Sequence, residues 1–133
     1  NNKINLKSIN DSFASAANYI SQIGWKRHQP CFFSIDLDKG IPKKFLNTSA
    51  KKLKNKRKVK FFKKYINNYE KLNINDTLNS AIITPDKDII PNAENYNPAY
   101  IVFDNYDLIL KWNRSLRFAL AVCTLKESFT DEL

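Results

Sequence analysis

The feature that most constrains the fold is a long apolar helix predicted near the end of the sequence. Ser115 is a good helix N-cap, because its hydroxyl accepts a hydrogen bond from a free amide in the first turn. Apolar residues then recur at helical spacing in two adjacent stripes, Leu116, Ala119, Leu120, Cys123 and Phe118, Val122, Leu125, Phe129. A helix with so broad an apolar surface must be buried among neighbouring elements. The sequence therefore predicts a buried helix over 115–129.

A second helix is predicted over 11–24, towards the other end of the chain. Asn10 or Asp11 supplies its N-cap. Gly24 followed by Trp25 is typical of a helix end in which a glycine adopts positive φ and the next residue makes an apolar contact. The apolar face of this helix consists of Phe13, Ala16, Ala17, Ile20 and Ile23.

Between these helices the sequence alternates strand-like and helix-like segments. Strands are predicted over 32–37, 78–84 and 100–103, the first two ended by glycine or proline. A helix is predicted at about 59–72, with a core-facing stripe of Val59, Phe62, Ile66 and Tyr69. The fold class we expect is α+β, with helical segments at both ends flanking a small antiparallel sheet insert.

The segment 105–111 has two interpretations. In the first, Asp104-Asn105 forms a two-residue hairpin turn that leads into a fourth strand. In the other, Asp104 or Asn105 caps a short helix that carries Tyr106, Ile109, Leu110 and Asn113 on one face. We favour the helix, because no glycine supplies the positive φ of a tight hairpin.

The net charge of +9 is concentrated in one segment. Residues 51–64 hold nine of the 22 lysines and arginines and no acid, which leaves 13 basic residues to balance 13 acidic ones. We interpret this Lys51–Lys64 segment first as a solvated basic face. An anionic surface, either a polymer or lipid headgroups, is the alternative partner. Nucleic acid is not expected, because Arg57 is the one arginine there and arginine reads bases in a bidentate manner.

Several site classes are excluded by composition. Two glycines in 133 residues rule out a glycine-rich phosphate loop, and two cysteines with one histidine cannot assemble a structural zinc site. No run approaches the ~18 apolar residues that span a membrane. Cys31 and Cys123 lie in apolar contexts and are expected to be buried inert thiols, with a disulfide as the alternative. His28 is expected on a surface loop.

The candidate binding residues precede the last helix. Asn113 stands at its start, between Trp112 and Arg114. An amide offers two donors and an acceptor, which suits a sugar hydroxyl or an N-acetyl group, and an aromatic ring suits the apolar face of a sugar. The simpler interpretation is that Asn113 and Ser115 only cap the helix, and the residues alone favour it.

Five blocks of the sequence, taken together, favour the binding interpretation of Asn113 over the capping one. In chain order they are 13–25, 98–102, Asn105-Tyr106, 112–115 and 119–122. They comprise a Phe-Ala-Ser-x-Ala-Asn-Tyr helix ending in Gly-Trp, a Pro-Ala strand, an Asn-aromatic pair, an aromatic-Asn-Arg-Ser segment and an alternating Ala-aliphatic helix. In order and spacing they resemble the C-terminal part of the membrane-bound lytic murein transglycosylase B family, which cuts peptidoglycan glycan strands.

The resemblance implies a reaction that needs no metal and no cofactor. In this family a glutamate protonates the glycosidic oxygen between N-acetylmuramic acid (MurNAc) and N-acetylglucosamine (GlcNAc). The muramyl 6-hydroxyl then closes on C1 to give a 1,6-anhydro product. That glutamate is followed by Ser or Thr and soon by Gly, a context absent from Glu70, Glu94, Glu127 and Glu132. The resemblance therefore implies that the catalytic residue is not in this chain and that Asn113 contacts the sugar.

The resemblance also implies an organisation and a location. The 133 residues are expected to be one C-terminal segment of a larger protein, with 1–27 and 105–133 in a lysozyme-like helical body and 28–104 as a small α+β insert. The expected partner is the peptidoglycan glycan strand, in the bacterial periplasm and in association with the outer membrane. The alternative function is a non-catalytic module that binds cell wall or an anionic polymer through the Lys51–Lys64 segment.

Overall fold

A mixed sheet of five strands forms the middle of the fold. The computed structural model of the chain describes residues 15, 18, 22, 24–26, 28–49, 52–85 and 98–130, with side chains to residue 126. β1 (Phe32–Ile35), β5 (Ala99–Val102) and β4 (Asn79–Ile83) lie side by side in antiparallel pairs. β2 (Leu46–Asn47) runs parallel to β4, and β3 (Arg57–Lys58) pairs antiparallel with the start of β4. The predicted sheet is confirmed, with one parallel pair added.

Each face of the sheet covers its own apolar cluster, because successive side chains of a strand point to opposite faces. Ala81 and Ile83 point to the face covered by helices, and Ile82 between them points to the opposite face. The buried residues of the helical face are Cys31, Leu53, Ala81, Ile83, Val102, Tyr106, Ile109, Leu110, Leu116, Ala119, Val122 and Cys123. Those of the opposite face are Ile35, Leu37, Ile41, Phe45, Val59, Phe62, Ile66, Ile82, Ala99, Ile101 and Phe103.

Within the residues that the structure describes, three helices accompany the sheet, which confirms the predicted α+β class. α1 (Val59–Phe62) is a single turn, whereas α2 (Asp104–Trp112) and α3 (Leu116–Thr130) are full helices that pack on each other. No helix in the described part of the chain is long and apolar enough to cross a membrane.

The predicted first helix falls mostly outside the described residues. Ser15, Asn18 and Gln22 have helical backbone and exposed side chains, as expected for the polar side of such a helix. Gly24 has a φ of 116°, which agrees with its predicted role at the helix end, and Trp25 packs partly buried against the helical face. The predicted apolar face of this helix, Phe13, Ala16, Ala17, Ile20 and Ile23, lies outside the described residues.

The predicted helix at 59–72 is wrong in its length. After α1 the chain continues as two 3-10 turns, Lys63–Tyr65 and Tyr69–Lys71, separated by extended backbone at Ile66. The cause is tertiary pairing, because Ile66 forms an isolated antiparallel bridge with Leu37. The predicted stripe is nevertheless confirmed, since its residues pack against the opposite face of the sheet.

The segment after β5 is a helix, as we favoured, and no hairpin forms there. The predicted cap is wrong, because the N-cap of α2 is Phe103 and no side chain bonds to the free amides. Asp104 and Asp107 lie in the first turn instead, where negative charge is favourable at the positive end of the helix dipole.

A disulfide joins Cys31, beside β1, to Cys123 in α3. The expectation of two unpaired thiols is therefore wrong, although both residues are buried as expected. Their Cα atoms lie 5.9 Å apart across a sequence separation of 92 residues. Apolar sequence context predicts burial for each cysteine separately, but it carries no information on which distant cysteine lies opposite.

Candidate functional site

The three candidate binding residues lie together in the α2–α3 turn, which we define as residues 112–115. The backbone N–H of Asn113 donates to the carbonyl of Ile109 at 2.9 Å and closes the last turn of α2. The Asn113 carbonyl accepts from the Ser115 amide at 2.8 Å, and the Ser115 carbonyl accepts from the Ala119 amide at 3.0 Å. Both helices are therefore tied to this turn by backbone hydrogen bonds.

Ser115 is the cap of α3, as predicted. Its Oγ accepts a hydrogen bond from the Phe118 amide at 3.1 Å, which satisfies one of the free donors of the first turn. The Asn113 side chain is exposed, and no hydrogen bond joins it to the described residues. The side-chain amide of Asn113 is therefore available to a ligand, because Ser115 caps α3.

Tyr106 holds the α2–α3 turn from its buried side. Its hydroxyl donates to the carbonyl of Leu116 at 2.8 Å, and both residues are buried in the helical face. Burial raises the pKa of the Tyr106 phenol well above its ordinary value, because phenolate is poorly solvated there. The phenol therefore remains a neutral donor, and it connects α2 with the first residue of α3.

Trp112 and Arg114 flank Asn113 on the surface. The Trp112 side chain is 42% exposed, and its ring packs against Phe118 with the centroids 5.7 Å apart. Arg114 is exposed as well. The contact with Phe118 supports the indole ring on one side, so that a flat apolar surface lies beside an exposed amide and an exposed cation.

Asn105 has a structural role that we did not predict from the sequence. It is fully buried, its Oδ1 accepts from the Lys26 amide at 2.8 Å, and its Nδ2 donates to the Lys26 and Gln29 carbonyls at 2.9 and 3.2 Å. The side chain thus pairs with Lys26 as a backbone strand would. An asparagine between buried aromatic residues such as Phe103 and Tyr106 is the signal that points to this role.

The carboxylates of α2 are both paired with lysines. Asp104 bonds to Lys26 at 2.8 Å, and Asp107 contacts Lys56 at 2.6 Å and Lys111 at 3.6 Å. Each carboxylate of α2 therefore has a lysine partner. Asp104, Asp107 and Lys56 line a shallow depression whose lining does not include the α2–α3 turn.

The other residues considered as candidates for catalysis or metal binding are the four glutamates and His28. Glu70 is exposed in a 3-10 turn, and the side chains of Glu94, Glu127 and Glu132 lie outside the described residues. His28 is exposed with a φ of 70°, as expected for a surface loop. No group of histidine, cysteine or acidic residues suited to a metal ion occurs in the described parts of the chain.

Comparisons with known proteins identify one family. The transglycosylase SLT domain family matches residues 1–127. Crystal structures of SltB3 from Pseudomonas aeruginosa, in complex with NAG-NAM-pentapeptide and with NAG-anhNAM-pentapeptide, are similar with TM-scores of 0.63 and 0.62. Each shares 27% sequence identity over 90% of this chain, and this chain spans 30% of the length of each. No curated protein sequence matches significantly.

Proposed function

We propose, since this chain belongs to the transglycosylase SLT domain family, that it is the C-terminal portion of a peptidoglycan lytic transglycosylase. The family match over residues 1–127 is the observation that carries the proposal. SltB3, which binds NAG-NAM-pentapeptide in one structure, supports a peptidoglycan strand as the substrate. The reaction proposed for the parent protein is cleavage of the MurNAc–GlcNAc bond with formation of a 1,6-anhydro product. The blocks at both ends of the sequence favour the membrane-bound lytic murein transglycosylase B subfamily.

In this proposal the α2–α3 turn is one wall of the substrate cleft. Asn113 is the residue that contacts the sugar, because its amide is exposed and is not needed to cap α3. Trp112 offers the apolar face of its ring to a sugar, and Arg114 offers a cation to a carboxylate of the peptidoglycan. The turn can hold such a ligand in a fixed position, since Tyr106 and Ser115 fix the backbone on both sides.

The general acid is proposed to lie outside these 133 residues. None of the four glutamates is followed by Ser or Thr and then Gly, as the family's catalytic residue is. We further propose that 1–27 and 105–133 belong to the helical body of the enzyme and that 28–104 form the insert. The proposed location is the bacterial periplasm, where the substrate lies.

The 133-residue chain alone is expected to show no lytic activity. A positioned carboxylic acid must protonate the leaving oxygen, and unpositioned carboxylates do not replace it. Purified sacculi are incubated with the chain, and anhydro-muropeptides are measured by chromatography beside an active lytic transglycosylase and a heat-denatured sample. Anhydro products above the heat-denatured level would contradict the proposal that the acid is elsewhere.

Replacement of Asn113 by alanine is expected to affect activity more than folding. In a protein that joins this chain to its catalytic segment, N113A should lower turnover on peptidoglycan about tenfold or more, because a hydrogen bond to the reacting sugar is lost. The free energy of unfolding should change by less than it does in S115A, where the lost cap costs about 1 kcal/mol.

The matched control is N73A, which removes another exposed amide far along the chain from the turn. Its turnover and melting temperature should equal those of the wild type. If N113A instead leaves turnover unchanged and lowers the melting temperature more than S115A does, Asn113 is a structural residue and the proposed sugar contact is wrong.

A non-catalytic module that binds an anionic surface is the second candidate function. The observation in its favour is the Lys51–Lys64 segment, where nine basic residues occur without an acid. Binding without any sugar cleavage, by every protein that contains this chain, would favour this candidate over the enzyme.

A further inference from the structure

We propose that a patch of cations and phenylalanine rings docks this chain onto anionic phospholipid headgroups at a membrane surface. We define the basic–aromatic patch as Lys44, Arg57 and Lys64 together with Phe45 and Phe61. The inference does not depend on the proposed enzymatic function, because it concerns the opposite side of the sheet from the α2–α3 turn.

The fold brings two separate segments together to form the patch. Asn55 adopts a φ of 58°, a conformation that asparagine tolerates better than most residues. From this turn its side-chain amide donates to the carbonyl of Lys44. The contact holds Asn55 against the 3-10 turn Lys43–Phe45, and cations from before and after Asn55 in the chain meet there.

Three cations lie close to two phenylalanine rings that contact each other at a tilted angle of 58°. The ring centroids of Phe45 and Phe61 lie 5.2 Å apart. The Arg57 guanidinium carbon lies 5.5 Å from the first centroid and 5.8 Å from the second. The Lys44 ammonium is 5.2 Å from the Phe45 centroid, and the Lys64 ammonium is 5.7 Å from the Phe61 centroid. The negative faces of the rings offset part of the repulsion between these charges.

No acidic side chain neutralises this patch within the described residues. The ion pairs found there involve Lys26, Lys56 and Lys111, all of which contact carboxylates of α2. Most protein surfaces intersperse charges of both signs, because clustered like charges repel. The positively charged patch therefore attracts an anionic surface, because its cations are not paired with carboxylates of the described residues.

Phe61 gives the patch the character of a membrane contact. Its side chain is 38% exposed, whereas the neighbouring Phe62 is fully buried in the opposite face of the sheet. An exposed aromatic ring among lysines is suited to the boundary between headgroups and acyl chains, where the ring is buried and the ammonium groups remain at the phosphates. A soluble polyanion would gain little from this exposed ring.

Nucleic acid fits the patch less well than lipid. Arg57 is the one arginine of the patch, its guanidinium is stacked over the two rings, and its NH1 group donates to the Lys56 carbonyl at 2.8 Å. The commonest base-specific contact is made by the free bidentate fork of an arginine. Lysine ammonium groups act as point charges and need no such geometry, so they suit a layer of lipid phosphates.

The test is sedimentation of the 133-residue chain with lipid vesicles. Vesicles of phosphatidylcholine with one-third phosphatidylglycerol should bind the chain, and vesicles of pure phosphatidylcholine should not. Each basic residue contributes about fivefold near an anionic membrane, so K44Q/K64Q should weaken binding about 25-fold. The matched control K39Q/K71Q removes two exposed lysines that contact neither ring, and it should weaken binding less than fivefold.

A second variant tests the ring itself. F61A should weaken vesicle binding about tenfold, because the apolar surface that enters the headgroup layer is lost. Circular dichroism must show an unchanged fold, since Phe61 also packs on Phe62 with centroids 5.4 Å apart. Should F61A unfold the chain, F61Q replaces it, because its longer polar side chain keeps the contact with Phe62 and still removes the exposed ring.

Three outcomes would overturn the proposal. The first is equal binding to neutral and anionic vesicles, and the second is an equal loss in K44Q/K64Q and K39Q/K71Q. The third is binding to a single-stranded oligonucleotide without binding to vesicles, which assigns the patch to nucleic acid. None of these results bears on sugar cleavage, because no peptidoglycan is present in the assay.

Discussion

Reduction of the Cys31–Cys123 disulfide is expected to lower the free energy of unfolding by about 3–4 kcal/mol. The two cysteines are separated by 92 residues, so the bond removes many conformations from the unfolded chain. In a domain of this size the melting temperature should fall by roughly 10–15 °C. Thermal unfolding followed by circular dichroism, with and without a phosphine reductant, measures the change.

The double variant C31A/C123A is the control for this experiment. Both side chains are buried, so the variant should melt close to the reduced wild type or slightly below it, and the reductant should not affect it. If the unreduced wild type contains two titratable thiols and the reductant does not change its melting temperature, the disulfide is absent and the prediction is wrong.

The disulfide also bears on the proposed location. Disulfides form and persist in oxidising compartments such as the bacterial periplasm, and the bacterial cytosol keeps thiols reduced. The Cys31–Cys123 bond therefore supports the proposed periplasmic location independently of the family match.

Replacement of Asn105 by alanine is expected to destabilise the fold by about 3 kcal/mol. The change removes three hydrogen bonds and leaves the backbone amide of Lys26 and the carbonyls of Lys26 and Gln29 without their partner. Part-buried polar groups that lose their partner in this way cost more than the hydrogen bonds themselves gain. Urea unfolding measures the loss.

The comparison with N113A makes this prediction specific. Both variants remove one asparagine amide, but Asn113 is exposed and Asn105 is fully buried. N113A should change the free energy of unfolding by less than about 0.5 kcal/mol. Equal and small changes in the two variants would show that water replaces the Asn105 side chain, which contradicts its assigned role.

Local patterns in the sequence predicted the elements that local interactions determine. The α+β class, the three main strands and the Ser115 cap all depend on residues within a few positions of one another. The stripe of Val59, Phe62 and Ile66 was recognised for the same reason.

Interactions between distant residues could not be predicted in this way. The bridge between Leu37 and Ile66 interrupts a segment that periodicity predicts as one helix. The two-residue strands β2 and β3 are too short to show any alternation, and each exists because β4 is nearby. The Asn105 contacts span 79 residues along the chain, beyond the range of any spacing rule.

The candidate site was predictable only in part. The exposure of Asn113 follows from the cap at Ser115, which the sequence predicted. The hydroxyl of Tyr106, which holds the same turn from the buried side, could not be assigned, since its acceptor is a backbone carbonyl that no sequence pattern distinguishes. The role of the turn in sugar binding remains a proposal that the N113A experiment addresses.

The sheet has a consequence for how the chain can meet its surroundings. Leu116, beside the α2–α3 turn, is buried on the helical face, and Phe45 of the basic–aromatic patch is buried on the opposite face. The two ligands that we propose for these sides would not compete for space, so a chain that binds both would be a bivalent adaptor. Once lipid holds one side, contact of the other side with a nearby glycan becomes intramolecular, and its strength is set by an effective concentration rather than by the concentration in solution.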